Sequence, residues 1–219
     1  MVLTSCGEMD DGKPTGLWLE EFSVPHRLFI EAGYKVKLVS LTGGAVPVDA
    51  RSLDAENPPE QVAALALLQD VGKLSEVDPA GFGSVFFPGG HGTMFDMPDS
   101  DRIQNLVRAF VESGKPSAFV CHGPAALVGV KGSDGQPLVQ GRKMTGFTDD
   151  EEEAVELTEA MPFLLETRLK ALGAVFVGAP NFEAHTVVDG NFITGQNPAS
   201  SQGAAEALID QLRQLKSAQ

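Results

Sequence analysis

Short runs of β-branched and aromatic residues alternate with stretches of helical spacing along the whole chain. That alternation builds a parallel sheet covered by helices on both faces, and it constrains the fold more than any other feature. Val2-Leu3-Thr4-Ser5 reads as a first strand, and residues 17–32 read as a helix with Gly33 as its stop. Residues 35–40 alternate as a strand, and Asn57-Pro58-Pro59-Glu60 opens a second helix, since a proline in a first turn gives up no needed donor. Further strands are expected at 84–87 and 117–120, separated by an amphipathic helix over 100–114, and a helix at 124–130. A β-excursion over 135–147 and a long helical segment over 149–172, broken at Met161-Pro162, come next. A strand at 174–177, a hairpin turning at Asp189-Gly190 and a closing helix over 200–216 complete the pattern. No repeat or linker interrupts it, so one α/β domain over 1–219 is expected, doubly wound and mostly parallel.

Charge narrows the partners. Lys and Arg number 16 against 30 Asp and Glu, a net charge of −14. Such a surface repels phosphate backbones and anionic bilayers, which argues against nucleic acid and membrane as partners. The first residues carry no basic segment followed by a long apolar run, so neither a signal peptide nor a transmembrane span is expected. The two cysteines, Cys6 and Cys121, form no Cys-x-x-Cys and join no Cys/His cluster, so neither a disulfide framework nor a zinc site is indicated. Free thiols and a cytoplasmic location fit best.

In open α/β sheets, ligands bind beyond the carboxyl ends of the strands. Two loops fall there. Pro88-Gly89-Gly90-His91-Gly92 follows a buried strand, and its glycines allow close backbone approach to a ligand. It lacks the Lys-Ser/Thr of a phosphate loop, which disfavours nucleotides. The second loop, Val120-Cys121-His122-Gly123-Pro124, has the layout of a nucleophile elbow with cysteine in place of serine. There the N–H of His122 and one from the Gly90 loop can face a single oxyanion, and the following helix start is expected to lower the thiol pKa. His122 is a candidate proton carrier. Glu20 and Glu21 enter from the same sheet edge, where one can point at Cys121 while the other faces water; a solvated helix face is the expectation for Glu20. Any of Glu151, Glu152 and Glu153 is a candidate to orient His122. Trp18, the single tryptophan, either packs in the core or lines the pocket beside Glu21. Cys6, His26 and His185 read as structural or surface residues.

Together, Thr15-Gly16-Leu17-Trp18-Leu19-Glu20-Glu21 with Pro25, Phe87-Pro88-Gly89-Gly90-His91-Gly92, Val120-Cys121-His122-Gly123-Pro124, Thr145-Gly146-Phe147 and Thr194-Gly195-Gln196-Asn197 resemble the PfpI-type, amidotransferase-like superfamily. Within it, the chain is similar to the branch of glutathione-independent glyoxalases and related heat-shock chaperones. The resemblance implies a flavodoxin-like sheet, a triad of Cys121, His122 and an acid, and Glu21 as a partly protonated carboxyl on the thiol. It implies an oxyanion site at Gly90 and His122, with His91 and Trp18 beside the substrate. The position five residues after Phe147 matches the family acid and selects Glu152. Residues 156–172, with Met161-Pro162-Phe163, depart from the glyoxalase pattern, and a helical lid over about 149–172 that changes substrate choice is expected.

The activity implied is conversion of a 2-oxoaldehyde such as methylglyoxal to a 2-hydroxy acid, D-lactate, through a Cys121 hemithioacetal, with no metal and no organic cofactor. Two rivals use the same features. A cysteine amidase or peptidase shares the nucleophile and oxyanion hole, and a stress chaperone or thiol sensor would need the thiol only for its oxidation. A homodimer, common among such relatives, is compatible with the apolar faces.

Overall fold

The computed structural model describes residues 1–53 and 58–217. Its layer of strands is mostly parallel. Val2–Leu3 (β1), Val39–Ser40 (β2) and Gly72–Lys73 (β3) form one parallel ladder in the order β1-β2-β3. Val85–Phe87 (β4), Ser117–Val120 (β5), Thr186–Asp189 (β8) and Phe192–Gly195 (β9) form another in the order β4-β5-β9-β8, where only the β8–β9 hairpin is antiparallel. β1 lies against β4, so the two ladders continue one another. A parallel pair, Lys143–Met144 (β6) and Val175–Phe176 (β7), packs beside the hairpin.

Alternation along the central strands assigns each side chain to a face, as the pleat requires. Val85 and Phe87 of β4, Phe119 of β5 and Phe192 of β9 enter the larger core. There they meet Ile103, Leu106, Val107 and Phe110 of the helix Asp101–Glu112 (α4), whose N-cap Ser100 accepts from the Ile103 N–H. Phe86, Ala118, Val120 and Ile193 point the other way, onto Phe29 of Leu19–Glu31 (α1) and onto Ala204, Ala205 and Leu208 of Ser201–Ser217 (α7). Both faces of the sheet are thus covered. The remaining helices are Pro59–Ala64 (α2), Thr93–Asp96 (α3), Asp149–Ala154 (α5) and Leu165–Ala171 (α6).

Several expected elements are shorter than their sequence patterns. The first strand ends at Leu3, residues 35–38 are extended without a ladder, and the expected 124–130 helix is a 3₁₀ segment over Gly123–Leu127. The excursion over 135–147 reduces to β6. Asn57, expected at the start of the second helix, lies outside the described residues. The expected lid breaks into α5, a 3₁₀ turn at Thr158–Ala160 and α6, and its side chains Leu157, Met161, Leu165 and Leu169 are buried in the larger core. These four apolar side chains anchor the segment to the core.

Chain order reverses between β1 and β4: from β1 the path goes outward to β2 and β3, then returns to β4 and continues through β5 to β9. That is the switch point at which α/β sheets open a crevice. The loops after β4 and β5 both lie there.

Candidate active site

Cys121 terminates β5 with φ of 58°, a left-handed conformation that an L-residue adopts at a cost of about 1–2 kcal/mol. The surroundings hold it there: its N–H donates to the Gly195 carbonyl and its carbonyl accepts from the Phe147 N–H, each at 2.9 Å. This sharp turn lifts the side chain out of the strand direction. The residue is 4% exposed.

Three polar groups meet at the sulfur. Nδ1 of His122 lies 3.3 Å from Sγ. The Gly90 N–H is directed at the same atom, and the carboxyl of Glu21 lies close enough for thiol and acid to shift each other's titration. Glu21 is brought in by the start of α1, which is stapled down by Trp18 N–H to the Gly89 carbonyl and Leu19 N–H to Ser52 Oγ. Its Oε2 accepts from the Gly89 N–H at 2.7 Å, while its buried Oε1 makes no hydrogen bond of good geometry. Glycine is obligatory at both loop positions. A Cβ on Gly89 would sit 2.6 Å from the His122 nitrogen, and one on Gly90, where φ is +94°, would sit 2.3 Å from the Gly16 carbonyl oxygen.

Burial decides the protonation of Glu21. Loss of solvent pushes its carboxyl up to about 8, although hydrogen bonds from Cys121 and Gly89 oppose the change. At neutral pH the group is therefore a neutral acid beside the thiol. The thiol, too, is raised well above its ordinary value, by burial first and then by the negative charge Glu21 would carry. This corrects the expectation that the helix start lowers it: a five-residue 3₁₀ segment supplies too little dipole to offset full burial. The resting sulfur is a thiol.

On the far side of His122, Nε2 lies 2.7 Å from Glu152 Oε2. An anionic carboxylate only accepts, so Nε2 carries the proton and Nδ1 presents its lone pair to the thiol. Burial alone would raise Glu152, but the charge His122 can take up and hydrogen bonds from His122 and His91 hold it well below the usual carboxylate range. Three consecutive glutamates divide the work. Glu151 closes a capping box with Thr148 and accepts from the Phe182 N–H and from Asn197 Nδ2. Glu152 alone of the three reaches the histidines, and Glu153 is exposed.

His91 sits differently from its expected place beside the substrate. Its Nε2 lies 2.8 Å from Glu152 Oε1, its Nδ1 lies 3.2 Å from Arg51 Nη2, and its ring packs on that of His122 with centroids 4.1 Å apart. Both ring nitrogens are engaged, so neither is free for a substrate oxygen. Phe147 covers His122 at 4.5 Å between centroids. Trp18, half-buried, stands at the N-cap of α1 at the edge of the same loop, and Glu20 beside it is half-buried. Cys6 donates to the Glu8 carbonyl, His26 packs on Phe22, and His185 lies at the start of β8.

Sequence reasoning missed Asp49, Arg51 and Thr93. Thr93 Oγ1 lies within reach of the Gly90 and His122 carbonyls, tying the two loops together. Asp49 holds Arg51 by a paired ionic contact. No local pattern announces such long-range partners. The donor atoms of His91, His122 and Glu152 lie within 4.8 Å of one another, a spacing that can hold a metal ion. Each is already spent on a hydrogen bond, and the neighbouring guanidinium opposes a cation, so the set suits a hydrogen-bonded relay better than a metal. A cavity of about 280 Å³ lies elsewhere, lined by Val36, Val85, Phe86, Phe110 and Leu212, and shares no residue with the thiol site.

The model of the DJ-1/PfpI family matches residues 16–211, which include every group just described around the thiol. The chain belongs to the DJ-1/PfpI family. Glyoxalase 3 of Candida albicans is 32% identical to it over 95% of both chains. The glutathione-independent glyoxalase HSP31 of Saccharomyces cerevisiae is 30% identical over 97% of both. Among solved structures, the rapid encystment protein of 24 kDa from Francisella tularensis superposes with a TM-score of 0.93 at 33% identity, covering 97% of each chain. The flavodoxin-like α/β architecture of the family is the one seen here. No helix among the described residues is long and apolar enough to cross a membrane.

Proposed function

We propose that this protein is a glutathione-independent glyoxalase that converts a 2-oxoaldehyde such as methylglyoxal, with water, to D-lactate, using neither a metal nor an organic cofactor. One observation carries the reading: a single sulfur stands between two separate proton carriers, a neutral Glu21 carboxyl and a His122 oriented by Glu152. A cysteine hydrolase can work with one such carrier, whereas an internal hydrogen shift must move protons at a carbon and at the neighbouring oxygen, a task that two carriers on opposite sides serve together. The similarity to two glyoxalases over nearly the whole chain supports it.

The chemistry follows from the resting protonation. As the aldehyde arrives, the Cys121 proton passes to His122 Nδ1 and Sγ adds to the aldehyde carbon. The oxyanion is received by the N–H groups of Gly90 and His122, and proton return gives the hemithioacetal. Whichever of Glu21 and His122 has given its proton to the oxyanion is left as a base and removes the hydrogen from that carbon, while the other protonates the keto oxygen to give an enediol; the first then delivers its proton to the neighbouring carbon as the second takes up the hydroxyl proton of the sulfur-bearing carbon. The product is a lactoyl thioester on Cys121, which water hydrolyses to free the thiol. Glu152 keeps His122 in the tautomer with Nδ1 toward sulfur throughout.

A thiol only 4% exposed admits a molecule of a few carbons more readily than a polypeptide, which favours the glyoxalase over a peptidase. Two free cysteines suit a cytoplasmic setting. The test is formation of D-lactate from methylglyoxal with glutathione absent, run beside a fluorescent peptide substrate. Turnover of the first and not the second is expected; the reverse would install the hydrolase in its place.

A further inference from the structure

Behind the triad the hydrogen bonds continue outward. Glu152 accepts from two histidines, one on each oxygen, and the second, His91, is met from the opposite side by Arg51. The guanidinium, 41% exposed, is pinned to buried Asp49, whose N–H in turn donates to the Leu17 carbonyl beside α1. Because a guanidinium only donates, Nδ1 of His91 must accept, and the one proton of His91 lies on Nε2, facing Glu152. We propose that Arg51 is a positioning residue that keeps His91 neutral, so that the charge of Glu152 remains available to His122.

The groups facing His91 are Arg51, Glu152 and His122, with Asp49 behind Arg51. A second proton on His91 would have to enter at Nδ1, where Arg51 presents both a competing donor and a positive charge. Burial, the charge of His122 and that of Arg51 together draw His91 down to about 4, against the pull of Glu152. Were His91 to charge, it would form its own ion pair with Glu152 and compete with His122 for that carboxylate. The base opposite Cys121 would then weaken. Removing Arg51 takes away one of the three influences that lower His91, leaves the pull of Glu152 opposed by burial and His122 alone, and allows the second proton at milder pH.

The proposal rests on the glyoxalase reading for its kinetic arm only. In Arg51→Gln, which removes the charge and keeps a polar side chain near Asp49, the His91 titration is expected to rise measurably. The acid limb of kcat/KM for methylglyoxal should move toward neutrality in the same direction, with activity nearest to normal at pH 8. Arg51→Lys, which restores the charge, should bring both back most of the way. The titration is read by ¹⁵N NMR of imidazole-labelled protein, with His91→Asn used to assign the signal; this arm needs no turnover. Arg51→Met serves if the Gln variant fails to fold. A His91 signal unmoved by loss of the charge, or a loss of kcat/KM equal at every pH, would overturn the proposal. Absence of D-lactate formation by the wild type would instead count against the glyoxalase reading, while the NMR shift would still decide the role of Arg51.

Discussion

At Cys121 the backbone and the side chain are both held away from their ordinary preferences, the first by a left-handed φ and the second by burial beside a carboxyl. A thiol raised in this way contributes no thiolate at pH 7. The difference in absorbance at 240 nm between wild type and Cys121→Ala should be flat near neutrality and appear only in the alkaline range; a thiolate band at pH 7 would contradict the shift. Glu21 gives a second test with a definite sign. Its folded value of about 8 lies above the ordinary 4.5, so between these two pH values the native state holds a proton that the unfolded state has lost. Stability therefore falls as pH rises through that window. Glu21→Gln should remove the slope: relative to this variant, the wild type should lose on the order of a few kcal/mol between pH 5 and pH 8.5, read from urea midpoints. The same variant should lower kcat/KM by about 10²–10⁴-fold while retaining its fold, and an unchanged rate would remove Glu21 from the mechanism.

Among the elements, α5 decides whether Glu152 arrives in register. It is six residues long and depends on its Thr148–Glu151 capping box, because so short a helix has little intrinsic stability. Thr148→Ala should cost about 1 kcal/mol in denaturant unfolding and reduce kcat more than KM, since it loosens the turn that carries Glu152. A loss of stability with kcat intact would show that the box serves the fold alone. Legibility at this scale follows the physics. Strands at 84–87 and 117–120 and the helix over 100–114 stood out, because buried β-runs and amphipathic spacing are local signals. The edges were overextended where ladders stop short: residues 35–38 alternate like a strand, but their pairing is confined to the Lys37 and Leu38 carbonyls, which accept from Met1 and Gly72 beside the start of β2. The lid expectation for 149–172 rests on a departure from the family pattern; the burial of Leu157, Met161, Leu165 and Leu169 was not legible, because it depends on distant partners.

Across the whole molecule, both glycine loops and the start of α1 converge at the point where strand order reverses, which is why motifs separated by about a hundred residues of sequence meet at one sulfur. The turn at Cys121, the glycines and Glu21 were legible because each is a local pattern of residue types. The Asp49–Arg51–His91 extension was not, since a contact between residues 40 apart leaves no periodic trace. The central claim is that this assembled site turns a 2-oxoaldehyde into a 2-hydroxy acid through a covalent bond to Cys121. The direct measurement is D-lactate released from methylglyoxal without glutathione, by wild type and by Cys121→Ala. The account predicts steady turnover by the wild type and a loss on the order of 10³-fold or more in the variant. D-lactate formed by the variant at close to the wild-type rate would contradict it.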